Sequence, residues 1–307
     1  MTPQDVRAPL ESGMLLAANR TGPLLGVLVV FVCFLLGQLP PSVIGLAIAG
    51  GGATRMTFVL QAVFTVGFAC TLGLLALWVR YREGRRFATV GFPGGLRPGA
   101  AGSQVARGAA VAAAMIALLV LVNVASGAAT LSAPAWGSLV PVLILLAGFA
   151  VQGSTEEVLT RGFLVQAVAW RWGVWAAIVV QAMVFAFLHG ANGDVSLFAV
   201  ANLLIVAVML GFWALAERGL WGVCAFHAVW NWGLANVAGG TVSNIEVTTS
   251  LTRFSPAEGA NDLLTGGGFG LEGSAVATAL LGIGAVVALV AWRRRASSGT
   301  ADGRPAA

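Results

Sequence analysis

The chain has 307 residues, 58% of them hydrophobic and only 9% charged, with a mean hydropathy of +0.89. Soluble domains carry about a quarter charged residues and disordered chains are polar and charge-rich, so both classes are excluded and a multi-span membrane protein remains. The net charge of +5 rests on 17 basic residues, all of them arginine, and in a membrane protein arginine reports topology before it reports any nucleic-acid partner.

A spanning helix needs about 20 mostly apolar residues. In chain order such runs are expected near 23–46, 57–79, 107–127, 138–157, 174–190, 197–216, 220–238 and 275–292. The fourth does not stop cleanly, because apolar residues continue past a charged cluster to Trp170. The first could be read as a signal peptide cut after Ala47-Ile48-Ala49. Pro40 and Pro41 intervene, and the site lies well beyond the Leu24–Leu36 core, so an uncleaved span is expected.

The arginines test this count. With both termini cytoplasmic, the inner side holds Arg7, Arg20, Arg80, Arg82, Arg85, Arg86, Arg97 and Arg107, then Arg171, Arg218, Arg293, Arg294, Arg295 and Arg304. The outer side keeps Arg55 and Arg253, and Arg161 lies within a span. Such a positive-inside bias supports an all-α bundle of about eight spans with both ends inside, and no nucleic acid is implied. The expected organisation is a cytoplasmic tail 1–22, then N-terminal spans 23–136 with a basic loop 80–107. A core over 137–238, an extracytoplasmic polar loop 239–274, and a last span with a basic tail over 275–307 follow. The Gly-, Ser- and Thr-rich 239–274 stretch reads as a solvated loop without chemistry. Cys33, Cys70 and Cys224 all lie in apolar runs and read as small packing residues, not disulfides.

In such a chain the informative residues are ionisable groups inside spans, each costing about 2.5–3.5 kcal/mol at a helix centre on insertion scales. Among the carboxylates, Glu156 and Glu157 alone sit in a long apolar context, and the chain's two histidines, His189 and His227, both fall in spans. Glu157 and Arg161 are i and i+4 and can pair; Phe185 and His189, and His227 and Asn231, share the same spacing. Arg171-Trp172-Gly173 reads as a tight turn, so Glu156 and His189 each lie about 23 Å from it, at one level of a helical hairpin. Each residue has a plainer reading: an ion pair that fixes packing, an interhelical hydrogen-bond donor, polar glue at Asn231, packing aromatics at Phe185, Trp230 and Trp232. Their joint occurrence favours a site.

A buried carboxylate beside a histidine can take a proton from water and later return it to a leaving amine. Glu157, paired with Arg161, would stay ionised and leave Glu156 free to titrate. His227 and Asn231 could donate hydrogen bonds to an oxyanion. These parts suffice for peptide hydrolysis without a serine or cysteine nucleophile. Glu156, His189 and His227 are also a two-His, one-carboxylate set that could hold Zn²⁺, and both versions stay open. A transporter or proton relay is the alternative from another class, although no inverted repeat is seen.

Glu156-Glu157-x-x-x-Arg161, Phe185-x-x-x-His189 and His227-x-x-x-Asn231 resemble, in order and spacing, the three motifs of the CPBP family. That family groups CAAX prenyl endopeptidases with bacteriocin-processing and Abi-type proteins. The likeness covers roughly 138–238, with a softer cue in Arg85-Arg86-Phe87 through Gly91-Phe92. It implies an eight-span intramembrane protease opening to the cytosolic side. Glu156 and His189 would activate water, His227 and Asn231 would stabilise the oxyanion, and Glu157 and Arg161 would shape the site. The family is often labelled a metalloprotease, while a direct glutamate mechanism is argued for its prenyl-protein members. The substrate implied is a membrane-associated or lipidated protein or peptide. Arg-only, Ala/Gly-rich usage points to a bacterial cell membrane. A non-catalytic immunity or scaffold role is the second alternative.

Overall fold

The computed structural model describes residues 9–49, 55–93, 99–190 and 196–301. Arg7, Arg97 and Arg304 of the topology reading lie outside them. Among the described residues the fold is nearly all helix, with one two-stranded sheet.

Helix α1 (Pro23–Ala49) runs through Pro40 and Pro41 and packs along α2 (Phe58–Leu77), which continues as a π turn to Arg82. Helix α3 (Ala100–Ala125) begins seven positions before the expected 107. Helix α4 (Leu139–Glu157) passes through a π segment, Val158–Leu164, into α5 (Val165–Gly190). Helices α6 (Leu197–Glu217), α7 (Trp221–Trp232, extended by a π turn to Val237), the short α8 (Asp262–Thr265) and α9 (Ala275–Ala301) complete the set. Six of these helical stretches are long and apolar enough to cross a bilayer. One of them, Trp136–Gly190, has 55 residues, more than twice what a bilayer needs. It is broken at Gly173, whose φ of 82° and ψ of 167° no helix accommodates. Only glycine reaches that conformation cheaply, and there the chain doubles back.

Helix α7 sits between α3 and α4, while α6 packs on α5 and α9. Around this core the outer faces of α1 and α9 present Leu24, Leu28, Leu35, Ile283, Val286 and Val287, all exposed. A continuous apolar coat of that kind suits lipid.

Three peripheral segments hold more structure than a tail or loop assignment describes. Within the N-terminal segment, Leu10–Leu16 forms a 3₁₀ turn with Met14 fully buried. Arg85, assigned above to the basic loop 80–107, is buried as well. Its Nε donates to Glu83 Oε2 at 2.6 Å, and its Nη1 donates to Gln166 Oε1 at 2.6 Å and to the Gly13 carbonyl at 3.1 Å. Burial lowers the Arg85 pKa, and the adjoining Glu83 carboxylate opposes that shift. Nor is 239–274 simply solvated. Strand β2 (Phe254–Pro256) pairs antiparallel with β1 (Ala129–Leu131), and Val242, Val247, Phe254, Phe269 and Leu271 are buried. Glu272 ties the segment down, accepting from Trp230 Nε1 at 2.7 Å and from Ser243 N and Oγ at 3.0 Å. The apolar residues scattered among the glycines close one end of the bundle.

Candidate active site

Glu156 and Glu157 end α4 just where the backbone widens into the π segment. A wide turn changes the direction of successive side chains, and such turns recur at functional sites. Here the two glutamates are splayed around one imidazole. Glu157 Oε1 lies 2.7 Å from His227 Nδ1, and Glu156 Oε2 lies 3.6 Å from His227 Nε2.

Glu157 is fully buried and so is Arg161, whose Nη1 donates to Glu157 Oε1 at 3.0 Å and to Thr160 Oγ1 at 2.9 Å. The Arg161 guanidinium also lies over the Phe185 ring, 4.2 Å from its centroid. The pair satisfies the rule that a charge leaves water only when partnered. Phe185 stacks on His189 as well, with ring centroids 4.2 Å apart. It is therefore a packing residue, but one packed on two site residues.

The hairpin at Gly173 brings His189 alongside Glu156, with Nε2 to Oε2 at 3.5 Å. His189 Nδ1 lies 3.0 Å from the Phe185 carbonyl. A carbonyl oxygen only accepts, so Nδ1 carries the hydrogen, and the ring turns its Nε2 toward Glu156. Gln152, one turn before Glu156, donates from Nε2 to Glu156 Oε1 at 3.3 Å. Glu156 Oε2 is buried and has no hydrogen-bond partner in the protein.

His227 reaches this level because α7 packs tightly on α4. At Gly153 a Cβ would lie 2.8 Å from the Ala228 backbone nitrogen and 3.2 Å from His227 Cβ. The absent side chain sets the spacing of the two helices. Asn231, one turn past His227, lines the same cavity. That cavity has a volume of 410 Å³, with Thr160, Phe185 and Glu156 at one end and Met56, Ser243 and Ile245 at the other.

Glu156, Glu157, Arg161, His189 and His227 are thus joined in one chain of contacts, and Asn231 lines the adjoining cavity. The metal reading does not gain the same support. Among the described residues no group of three or more His, Cys, Asp or Glu side chains is arranged to hold a metal ion. Sequence reasoning missed Gln152, Gln38 and Gln61, which line the cavity. Each is a neutral amide in an apolar helix, and the high cost of charge in lipid does not single it out. It also missed Glu272, whose setting amid Gly and Ser disguised it.

Residues 137–233 match the family model described as type II CAAX prenyl endopeptidase Rce1-like. The matched stretch runs from the start of α4 to the end of α7 and contains Glu156, Glu157, Arg161, Phe185, His189, His227 and Asn231. No curated protein and no solved structure matches the chain.

Proposed function

We propose, from the premise that residues 137–233 belong to the CAAX prenyl endopeptidase family, that this integral membrane protein is a peptidase whose buried Glu156 activates water. The observation that carries this reading is the convergence of both histidines on Glu156 Oε2, at 3.5 and 3.6 Å, beside a cavity that Glu156, His189 and Asn231 line.

Glu156 takes a proton from a water held between its Oε2 and His189 Nε2. The resulting hydroxide attacks the peptide carbonyl carbon. The oxyanion that forms accepts hydrogen bonds from His227 Nε2–H and Asn231 Nδ2. For His227 to donate there, both its nitrogens must be protonated, and Glu157 at Nδ1 supports that state. Glu156 then passes its proton to the amine nitrogen as the C–N bond breaks, leaving an acid and an amine.

The catalytic core is 137–238. The arginine distribution supports eight crossings: α1, α2, α3, α4 with its π segment, α5 beyond Gly173, α6, α7 and α9, with both ends in the cytoplasm of a bacterial cell. Purified wild type and Glu156→Ala, assayed on a quenched fluorescent peptide with and without chelator, test the mechanism. Activity lost in the variant and kept under chelator supports direct glutamate action. Loss under chelator with recovery on added Zn²⁺ would assign the chemistry to a metal, and cleavage insensitive to both changes would sink the reading.

A further inference from the structure

The cavity is placed toward one end of the bundle. Its α1 lining runs from Phe34, near the middle of that helix, to Gln38 and Ser42 in the second half, and its α2 lining lies between Gln61 and Phe68, toward the start of α2. His189 is one residue from the end of α5, and Ala235 is two from the end of the π turn after α7. The far rim is Met56, Val242, Ser243 and Ile245. All of these point to the end where α1 finishes and α2 begins. That is the arginine-poor end, where Arg55 is already paired with Glu246. The opposite end carries Arg20, Arg80, Arg82, Arg171, Arg218 and Arg293 among others.

The lining chemistry is equally one-sided. Apart from Glu156 and His189 its polar groups are neutral: among them Gln38, Gln61, Gln152 and Asn231, set between phenylalanines. No arginine is among the lining residues. Gln61, itself 6% exposed, has an Nε2 without a hydrogen-bond partner, and both amide atoms of Gln38 are likewise buried and unpartnered. Buried amide groups left without partners are costly. A peptide backbone offers the matching donors and acceptors, while aromatic walls suit apolar side chains. No arginine in the lining, and no basic group outside the two histidines on Glu156, offers a cation to a free C-terminal carboxylate.

We infer that the cavity takes an extended, uncharged internal peptide segment from the extracytoplasmic face, and not a charged C-terminus from the cytosol. The inference rests on the peptidase reading for its chemistry, but its geometry stands on the position of the rim. It departs from the cytosolic opening that the family resemblance implies.

Ile245, 37% exposed on the rim, supplies the test. Full-length Ile245→Cys, made in Glu156→Gln to prevent turnover, is treated with a membrane-impermeant maleimide in right-side-out and inside-out vesicles. Wild type is the background, because Cys33 and Cys224 are buried and Cys70 lies within α2. Labelling confined to right-side-out vesicles is expected; labelling confined to inside-out vesicles overturns the inference. In the same assay an N-acetylated, C-amidated decapeptide of Leu, Ala and Gln should slow labelling by about fivefold when present at several times its Kd. The same sequence ending in a free carboxylate three residues past its midpoint should protect less. Equal protection, or stronger protection by the free acid, overturns the substrate class. None of these readouts requires cleavage, so a protein that labels and is protected as expected but hydrolyses nothing would refute the peptidase reading alone.

Discussion

Glu156 and Glu157, neighbours in the chain, address the two ring nitrogens of the same histidine: Glu157 holds His227 Nδ1 at 2.7 Å and Glu156 faces Nε2 at 3.6 Å. The division of labour follows from their partners. Glu157 Oε1 also receives Arg161, whereas Glu156 Oε2 has no hydrogen-bond donor from the protein.

Substituting the two should therefore separate activity from stability. Glu156→Gln keeps shape and removes the base, so turnover should fall by about 10²-fold or more while the denaturation midpoint in detergent stays near that of wild type. Glu157→Gln leaves Arg161 buried without a counter-charge and should destabilise by about 3–5 kcal/mol. A Glu157→Gln protein as stable as wild type would contradict the assigned pairing.

The close approach at Gly153 makes a second test. In Gly153→Ala the new methyl would press on the Ala228 nitrogen, forcing α4 and α7 apart. Overpacking of this kind costs about 1–3 kcal/mol, and a displacement approaching 1 Å at His227 can cost about 10²-fold in rate. Kinetics on the folded fraction measure it; an unchanged kcat would show that helix spacing does not position the histidine.

Gln166 is the control at the other end. Its side chain accepts from Arg85 at 2.6 Å and donates to the Thr89 and Val90 carbonyls. Gln166→Leu strands those groups and should cost about 1–3 kcal/mol for each left unpaired. Specific activity of the folded protein should remain, since the site is held by other contacts. Loss of kcat without loss of stability would be the contrary result.

Glu272 joins α7 to the cavity rim through Trp230 and Ser243. Glu272→Ala should free the 239–274 segment, speeding limited proteolysis there and raising KM more than it lowers kcat. Protection equal to wild type would mean that the sheet pairing alone holds the segment.

The sequence made the site legible because charge in lipid is costly and therefore rare. Glu156, Glu157, Arg161 and the two histidines stood out against apolar helices, and the turn at Gly173 could be seen in Arg171-Trp172-Gly173. The periphery was not legible for the complementary reason. Arg85 and Glu83 lie among other charges between helices, where solvation is the ordinary reading, and only the fold brings Gln166 and Gly13 to them. In 239–274 the buried Val247, Phe254 and Phe269 are diluted by glycine and serine, so no periodicity marks the buried face. The cavity glutamines are neutral, and one amide in an apolar helix has little contrast until its neighbours are known.

The fold-back at Gly173 also governs how the protein can be made. It places Glu156 and His189 on one continuous stretch, so a single helical hairpin leaving the ribosome delivers both to the membrane together. Glu157 and Arg161, one turn apart on that stretch, can neutralise each other before they meet lipid. The second histidine arrives only two helices later. Until α7 inserts beside α4, the nascent chain carries an acidic group with half of its surroundings missing, and the seventh helix completes the candidate site and relieves that exposure in one act.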